Sequence, residues 1–162
     1  MLIRSFRDAD AAGCAAIVRA CIESDPSLTD TLRGRFLRSL TEASIIERSR
    51  LHYLAVCELS DSLAGLAGLD MNEIRLLCVS PERQGRGIGA ALLGHLESMV
   101  PAPLFADVFV YATLSAVGFY LKHGYRAEGE WQVEIAGETL TTMFLRKPLS
   151  QRTGDHRRPW EA

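Results

Sequence analysis

The chain has 162 residues, of which 48% are hydrophobic and 23% charged, with a formal net charge of −2 and a pI near 6.1. This length fits one domain that buries most of its apolar surface. The charge argues against nucleic acid as the main partner, because a phosphate backbone demands a basic surface. No apolar run approaches the length of a membrane span and no signal-peptide pattern opens the chain. We therefore expect a cytoplasmic protein with no membrane partner.

The four cysteines give no metal signature. Cys14, Cys21, Cys57 and Cys78 form no C-x-x-C pair, and such pairs are typical of structural zinc sites. We expect buried, reduced thiols and no bound metal.

The first half of the chain predicts helices and then strands. The elements in order are a strand over 2–6, an alanine-rich helix to about Glu23, a break at 25–27, a helix over 28–40, a short turn begun by Thr41-Glu42, and strands over 52–58, 63–69 and 71–79. Alternating or continuous apolar runs favour the strands, and a capping pattern after Phe6 favours the first helix.

The second half predicts a central helix and three further strands. The elements are a helix over 87–100, a strand over 104–110, a short helix over 115–122, and strands over 126–135 and 138–145 joined by a turn at 136–137. Pro101 and Pro103 end the central helix because proline cannot continue it. We predict one domain over 1–149 and a polar, disordered tail over 150–162.

The segment between the predicted strand ending at Val79 and the central helix is typical of a phosphate-binding loop. A helix N-terminus carries unpaired N–H groups and partial positive charge. Gly85, Gly87 and Gly89 remove side chains that would keep an anion from the backbone. A glycine-rich turn without a ligand is the alternative.

Three nucleotide loops compete for this segment. A Walker loop needs a Gly-Lys pair, which the sequence lacks, and the dinucleotide pattern G-x-G-x-x-G fails at Ala91. The segment does satisfy Q-x-x-G-x-G from Gln84 to Gly89, with Val79 and Pro81 ahead of it. In these residues the chain resembles the GNAT superfamily of acetyl-coenzyme A-dependent N-acetyltransferases. A second segment, from Ala116 to Tyr125, is similar to the superfamily's A-x-x-F-Y-x-x-x-G-[FY] pattern.

The resemblance implies a fold and a co-substrate. The fold is an α+β sandwich of the acyl-CoA N-acyltransferase type, with a mixed sheet of about seven strands, about four flanking helices, and a divergence between strands 4 and 5. The co-substrate is acetyl-CoA. The implied contacts are Leu77, Cys78 and Val79 for the pantetheine arm, and Gln84, Gly85, Arg86, Gly87, Ile88, Gly89 and Ala90 for the pyrophosphate. The family often places asparagine seven residues before its tyrosine. This sequence has Thr113 at that position, so Thr113 or Ser115 is expected to replace the asparagine as a contact to the pantetheine arm.

The resemblance also implies the catalytic groups. Tyr120 is the expected proton donor and sulfur contact, since a phenol is protonated at neutral pH; simple packing is the alternative. Glu73 corresponds to a strand-borne glutamate that acts as base, about 13 Å along the strand from Leu77, so that a bulge and a water relay are needed. A merely solvated Glu73 is the alternative. Competing base candidates are His52, Glu58, Asp70, His123 and Glu134.

The expected function is acetyl transfer to a primary amine of a small molecule or a protein, by direct attack in a ternary complex. A non-catalytic acyl-CoA-binding or sensing module is the alternative, and a dinucleotide-binding domain is a weaker one. The expected acceptor site is formed by the first two helices and the last hairpin, with the second subunit of a homodimer as an optional further contributor. Trp131 either lines that site or packs as an ordinary strand aromatic.

Overall fold

A computed structural model describes residues 1–60, 62–135 and 137–149. Within them lies one seven-stranded sheet of order β1-β2-β3-β4-β5-β7-β6. The strands are β1 Leu2–Ser5, β2 Tyr53–Leu59, β3 Ser62–Asp70, β4 Glu73–Val79, β5 Asp107–Thr113, β6 Arg126–Ile135 and β7 Glu138–Pro148. The helices are α1 Ala11–Ser24, α2 Asp30–Ser39, α3 Glu42–Leu51, α4 Ile88–Met99 and α5 Val117–Lys122. The α+β class and the seven strands are confirmed.

The described residues form five α-helices rather than about four. The additional one is α3, where the sequence predicted only a short turn at Thr41-Glu42. Thr41 and Ser44 form a capping box, each side chain accepting from the other's backbone N–H at 3.0 Å. Ile45 is buried against α1 and the sheet. The helix is therefore held by its cap and one buried side chain, and a weak apolar pattern concealed it.

Two predicted boundaries shift for local reasons. The second helix begins at Asp30 rather than Leu28, because the Thr29 hydroxyl accepts from Leu32 N and fixes the start. The predicted strand at Leu104 begins at Asp107, since Leu104 N donates to Pro101 O at 2.8 Å within a turn. The predicted tail over 150–162 lies outside the described residues, as does Ala136 of the predicted hairpin turn.

Helices cover both faces of the sheet and divide the core in two. On one face, α4 and α5 pack against the sheet through a buried set that includes Leu92, Leu96, Val108 and Leu145. On the other face, α1 and α3 pack on β2 and β3. No helix in the described ranges is both long and apolar enough to cross a membrane.

The parallel strands β4 and β5 diverge, as the resemblance implied. Their register contains only Glu73 opposite Phe109 and Ile74 opposite Val110. Beyond these pairs β4 continues beside β3, and β5 continues beside β7 as far as Thr113. In β4, Arg75 is an extra residue opposite the Gly68–Leu69 step, and such a bulge bends its strand. The divergence leaves an open edge on each strand, at their carboxyl ends.

Candidate active site

The loop after β4 has the backbone geometry that its glycines permit. Gly85 and Gly87 have φ of 74° and 80°, in the left-handed region that costs other residues about 1–2 kcal/mol. A Cβ at either position would meet no atom within 4 Å. Glycine is therefore required here by the backbone angle and not by crowding, and the outer surface of the loop is open.

This loop gathers unpaired amides at the start of α4. The first helical hydrogen bond runs from Ala91 N to Gly87 O at 3.0 Å. None of the N–H groups of residues 85–90 donates to a backbone acceptor in the described part of the chain. They lie at the positive end of the helix dipole, next to the exposed Arg86. The arrangement fits a pyrophosphate, and it supports the expected cofactor-binding set through its main chain.

Several predicted cofactor residues use their side chains for packing instead. Ile88 is 2% exposed and lies in the core. A Cβ on Gly89 would approach Phe119 to 3.2 Å, so glycine at this position makes room for that ring. The Gln84 side chain donates to Val79 O at 3.1 Å and closes the turn. At Ile88, Gly89 and Ala90, only the backbone amides are offered to a ligand.

The β4 edge of the divergence carries Leu77, Cys78 and Val79. Val79 O accepts from Gln84 and from the Cys21 thiol, the latter at 3.3 Å. A hydrogen bond with Cys21, together with burial, raises the pKa of Cys78. Cys78 is therefore a neutral thiol, and a neutral thiol is a poor nucleophile.

Tyr120 reaches the divergence from α5. It is 4% exposed and packs edge-on against Phe119 and Tyr125, with ring centroids 5.2 and 5.3 Å away. Burial, and secondly the proximity of Cys78, raises the pKa of its phenol. Its hydroxyl makes no hydrogen bond to another described residue. The structure thus places a protonated hydroxyl, which donates to no described residue, close to β4.

Glu73 lies away from this group, at the closed end of the divergence. Both of its carboxylate oxygens accept from Arg75 Nη1, at 2.9 and 3.0 Å. Val79 is six residues further along β4, or roughly 20 Å at strand rise. The competing candidates also lie elsewhere. His52 Nδ1 is 3.5 Å from Asp70 and makes no hydrogen bond to a described residue, whereas Glu58 accepts from Arg4, His123 contacts Phe119 O and Glu134 accepts from Thr139. No group of three metal-ligating side chains occurs among the described residues.

Asp25, which the sequence did not indicate as a site residue, lies close to the end of β5. Thr113 Oγ1 and Ser115 Oγ lie 3.2 Å apart, and the Asp25 carboxylate approaches both hydroxyls from the turn after α1. Burial acts to raise the pKa of Asp25, but hydrogen bonds from Ser27, Ser115 and Thr113 outweigh it and lower the pKa. The sequence showed Asp25 only as part of a chain break, and nothing local connected it to Thr113.

Comparisons with known proteins agree with this geometry. Residues 29–147 match the acetyltransferase (GNAT) domain, whereas comparison with functionally curated proteins gives no match. The chain is similar to the solved structure of a GCN5-related N-acetyltransferase from Rhodopseudomonas palustris, at 28% identity and a TM-score of 0.84, over 91% of this chain and 95% of that chain.

Two more distant structures, which share the fold, contain the expected ligand. PaiA N-acetyltransferase from Thermoplasma acidophilum, in complex with coenzyme A, is 17% identical with a TM-score of 0.72, over 91% of this chain and 98% of its own. A phosphinothricin acetyltransferase from Sinorhizobium meliloti, in complex with AcCoA, is 22% identical with a TM-score of 0.71, over 94% and 90%. The domain match spans well over half of the sequence and coincides with the diverging strands and the glycine loop, so this chain belongs to the GNAT acetyltransferase family.

Proposed function

We propose that the protein is an acetyl-CoA-dependent N-acetyltransferase that acts on a primary amine of a small molecule or a protein, by direct attack in a ternary complex. One observation carries the proposal. The divergence of β4 and β5 opens beside six unpaired amides, residues 85–90, and beside the free hydroxyl of Tyr120. Together these features offer an anion-binding site, two open strand edges and a proton donor in one place.

The chain's own groups fit the parts of coenzyme A. The amides of residues 85–90 and the exposed Arg86 would hold the pyrophosphate. The open edges of β4 at 77–79 and of β5 at Thr113 would pair with the pantetheine arm as an added strand does. Ser115 supplies a further hydroxyl there. Bound acetyl-CoA would supply the activated acetyl thioester.

Tyr120 and Glu73 are the proposed proton-transfer groups. Tyr120 is protonated at neutral pH, as a phenol ordinarily is, and burial favours this form further by raising its pKa. It would donate a hydrogen bond or a proton to the departing thiolate. Glu73 would take up the amine's proton through water. Its register partner Phe109 puts it on the same sheet face as Thr113, although release from Arg75 is needed first. Residues 1–149 remain the predicted extent of the domain.

Release of free coenzyme A thiol from acetyl-CoA, followed over a panel of primary amines, tests the proposal. We expect turnover with at least one amine and an increased melting temperature with coenzyme A. Stabilisation by coenzyme A without turnover on any amine would favour the acyl-CoA-binding module. Stabilisation by NAD and not by coenzyme A would favour a dinucleotide-binding domain.

A further inference from the structure

The Asp25 carboxylate has no cationic partner among the described residues. Its Oδ1 accepts from Ser27 N at 2.9 Å and from Ser27 Oγ at 2.6 Å, and the hydroxyls of Ser115 and Thr113 lie nearby. No ion pair within 4.0 Å includes it in the described ranges. Partly buried charges are usually paired. Here neutral donors alone hold the carboxylate ionised, at the open end of the divergence.

The neighbouring Arg33 fixes the turn without neutralising Asp25. Its Nη1 donates to Ile22 O at 2.6 Å and to Glu23 O at 2.7 Å. Its Nη2 donates to Asp25 O and to Leu28 O, each at 3.0 Å. All four bonds go to main-chain carbonyls. The guanidinium therefore holds the turn after α1 in place and leaves the Asp25 side chain available to a ligand.

A row of four aromatic side chains lies on the sheet face that Thr113 shares. We call Phe109, Tyr111, Phe144 and Trp131 the aromatic floor. The Tyr111 ring centroid lies 5.1 Å from that of Phe144 and 5.9 Å from that of Trp131. Tyr111 and Trp131 are 40% and 55% exposed. An exposed apolar patch of this kind beside a cleft is a feature of ligand-binding surfaces.

Strand register places the aromatic floor on the same face as the Asp25 contacts. Thr113 pairs with Thr142, and Thr142 pairs with Trp131. Tyr111 is two residues before Thr113, and residues at i and i+2 share a face. The intervening Ala112 belongs to the core on the other face. Tyr111 is thus about 7 Å along the strand from the hydroxyl that faces Asp25.

We propose, resting on the N-acetyltransferase function above, that the acceptor is a small arylalkylamine that binds as its ammonium ion. Asp25 receives the ammonium, and the aromatic floor receives the flat apolar group. Tyr111 and Thr113 are about 7 Å apart along β5, a spacing that suits a ring joined to nitrogen through a short alkyl chain. Aromatic faces also favour a cation. Asp25 is a specificity residue in this arrangement, and Arg33 is a positioning residue.

The test uses the full chain with acetyl-CoA and four probes: phenethylamine, ethylamine, glucosamine and a peptide with a free N-terminus. Phenethylamine is expected to have the highest kcat/KM. Asp25→Asn should raise its KM about 10–100-fold, because a hydrogen bond to a charged group is lost. Asp25→Glu should restore part of the affinity. The melting-temperature shift with coenzyme A should stay at the wild-type value in both variants, which separates this role from a structural one.

Two further variants serve as matched comparisons. Glu23→Gln removes the same charge from an exposed position two residues before Asp25, and it should leave KM unchanged. Trp131→Ala should raise the KM for phenethylamine but leave the KM for ethylamine unchanged. Turnover that is indifferent to Asp25→Asn, or a preference for the peptide or glucosamine, would overturn this inference and leave the acetyltransferase function standing. Absence of turnover with every amine would overturn both.

Discussion

Removal of the Tyr120 hydroxyl should separate catalysis from stability. The hydroxyl bonds to no described residue and its ring is 4% exposed, so Tyr120→Phe keeps the packing and leaves no described polar group unpaired. We expect the free energy of unfolding to change by less than about 0.5 kcal/mol. A proton donor contributes about 10²–10⁴-fold to the rate, so kcat should fall at least about 100-fold, equivalent to about 2.7 kcal/mol of transition-state stabilisation.

Steady-state thiol release and urea denaturation measure the two effects in one preparation. Tyr125→Phe is the matched control, because Tyr125 packs on Tyr120 but donates to Glu97 at 3.0 Å. It should lose about 1.5 kcal/mol of stability, since a hydrogen bond to a charged group disappears, and it should keep its kcat. If Tyr120→Phe retained kcat within about threefold, Tyr120 would be a packing residue and its role as the acid would be wrong.

Two further predictions concern the loop and the stability of the domain. Gly87→Ala should lower the free energy of unfolding by about 1–2 kcal/mol and raise the Kd of coenzyme A in calorimetry, because alanine disfavours a φ of 80°. The control is Gly94→Ala, inside α4 with open space around it, which should stabilise the fold by about 0.5–1 kcal/mol. Equal effects at both positions would refute the backbone argument. The Asp10 carboxylate accepts hydrogen bonds from Arg4 at 2.7 and 2.9 Å, and these bonds lower the pKa of Asp10. The ion pair therefore stabilises the fold fully above the ordinary aspartate pKa near 4, and this stabilisation is lost as the pH falls through the lowered pKa. Asp10→Asn should therefore cost about 2 kcal/mol in urea denaturation at pH 7 and much less at pH 2; the same cost at both pH values would contradict this linkage.

The elements that local rules could predict were mostly found. The strand ending at Val79, the glycine loop and α4 follow one another directly, and apolar patterning with glycine placement specifies them within a few residues. The sequence did not predict the α3 helix because its apolar pattern is weak and its main signal is the cap formed by Thr41 and Ser44. The packing of Gly89 was not predicted either, since the ring next to it belongs to Phe119, a residue far along the chain.

The sequence by itself determined the glycine loop and the helix start on which the proposed donor site depends. Backbone angles and helix-end amides are properties of neighbouring residues, so Gly85 to Ala90 indicate an anion-binding site without help from the rest of the fold. Only the tertiary structure brought Asp25 to Thr113, which shares a sheet face with the aromatic floor. That convergence depends on the strand order, on the divergence of β4 from β5 and on the Arg33 contacts that fix the turn after α1. Such contacts join distant segments, and no spacing along the chain records them.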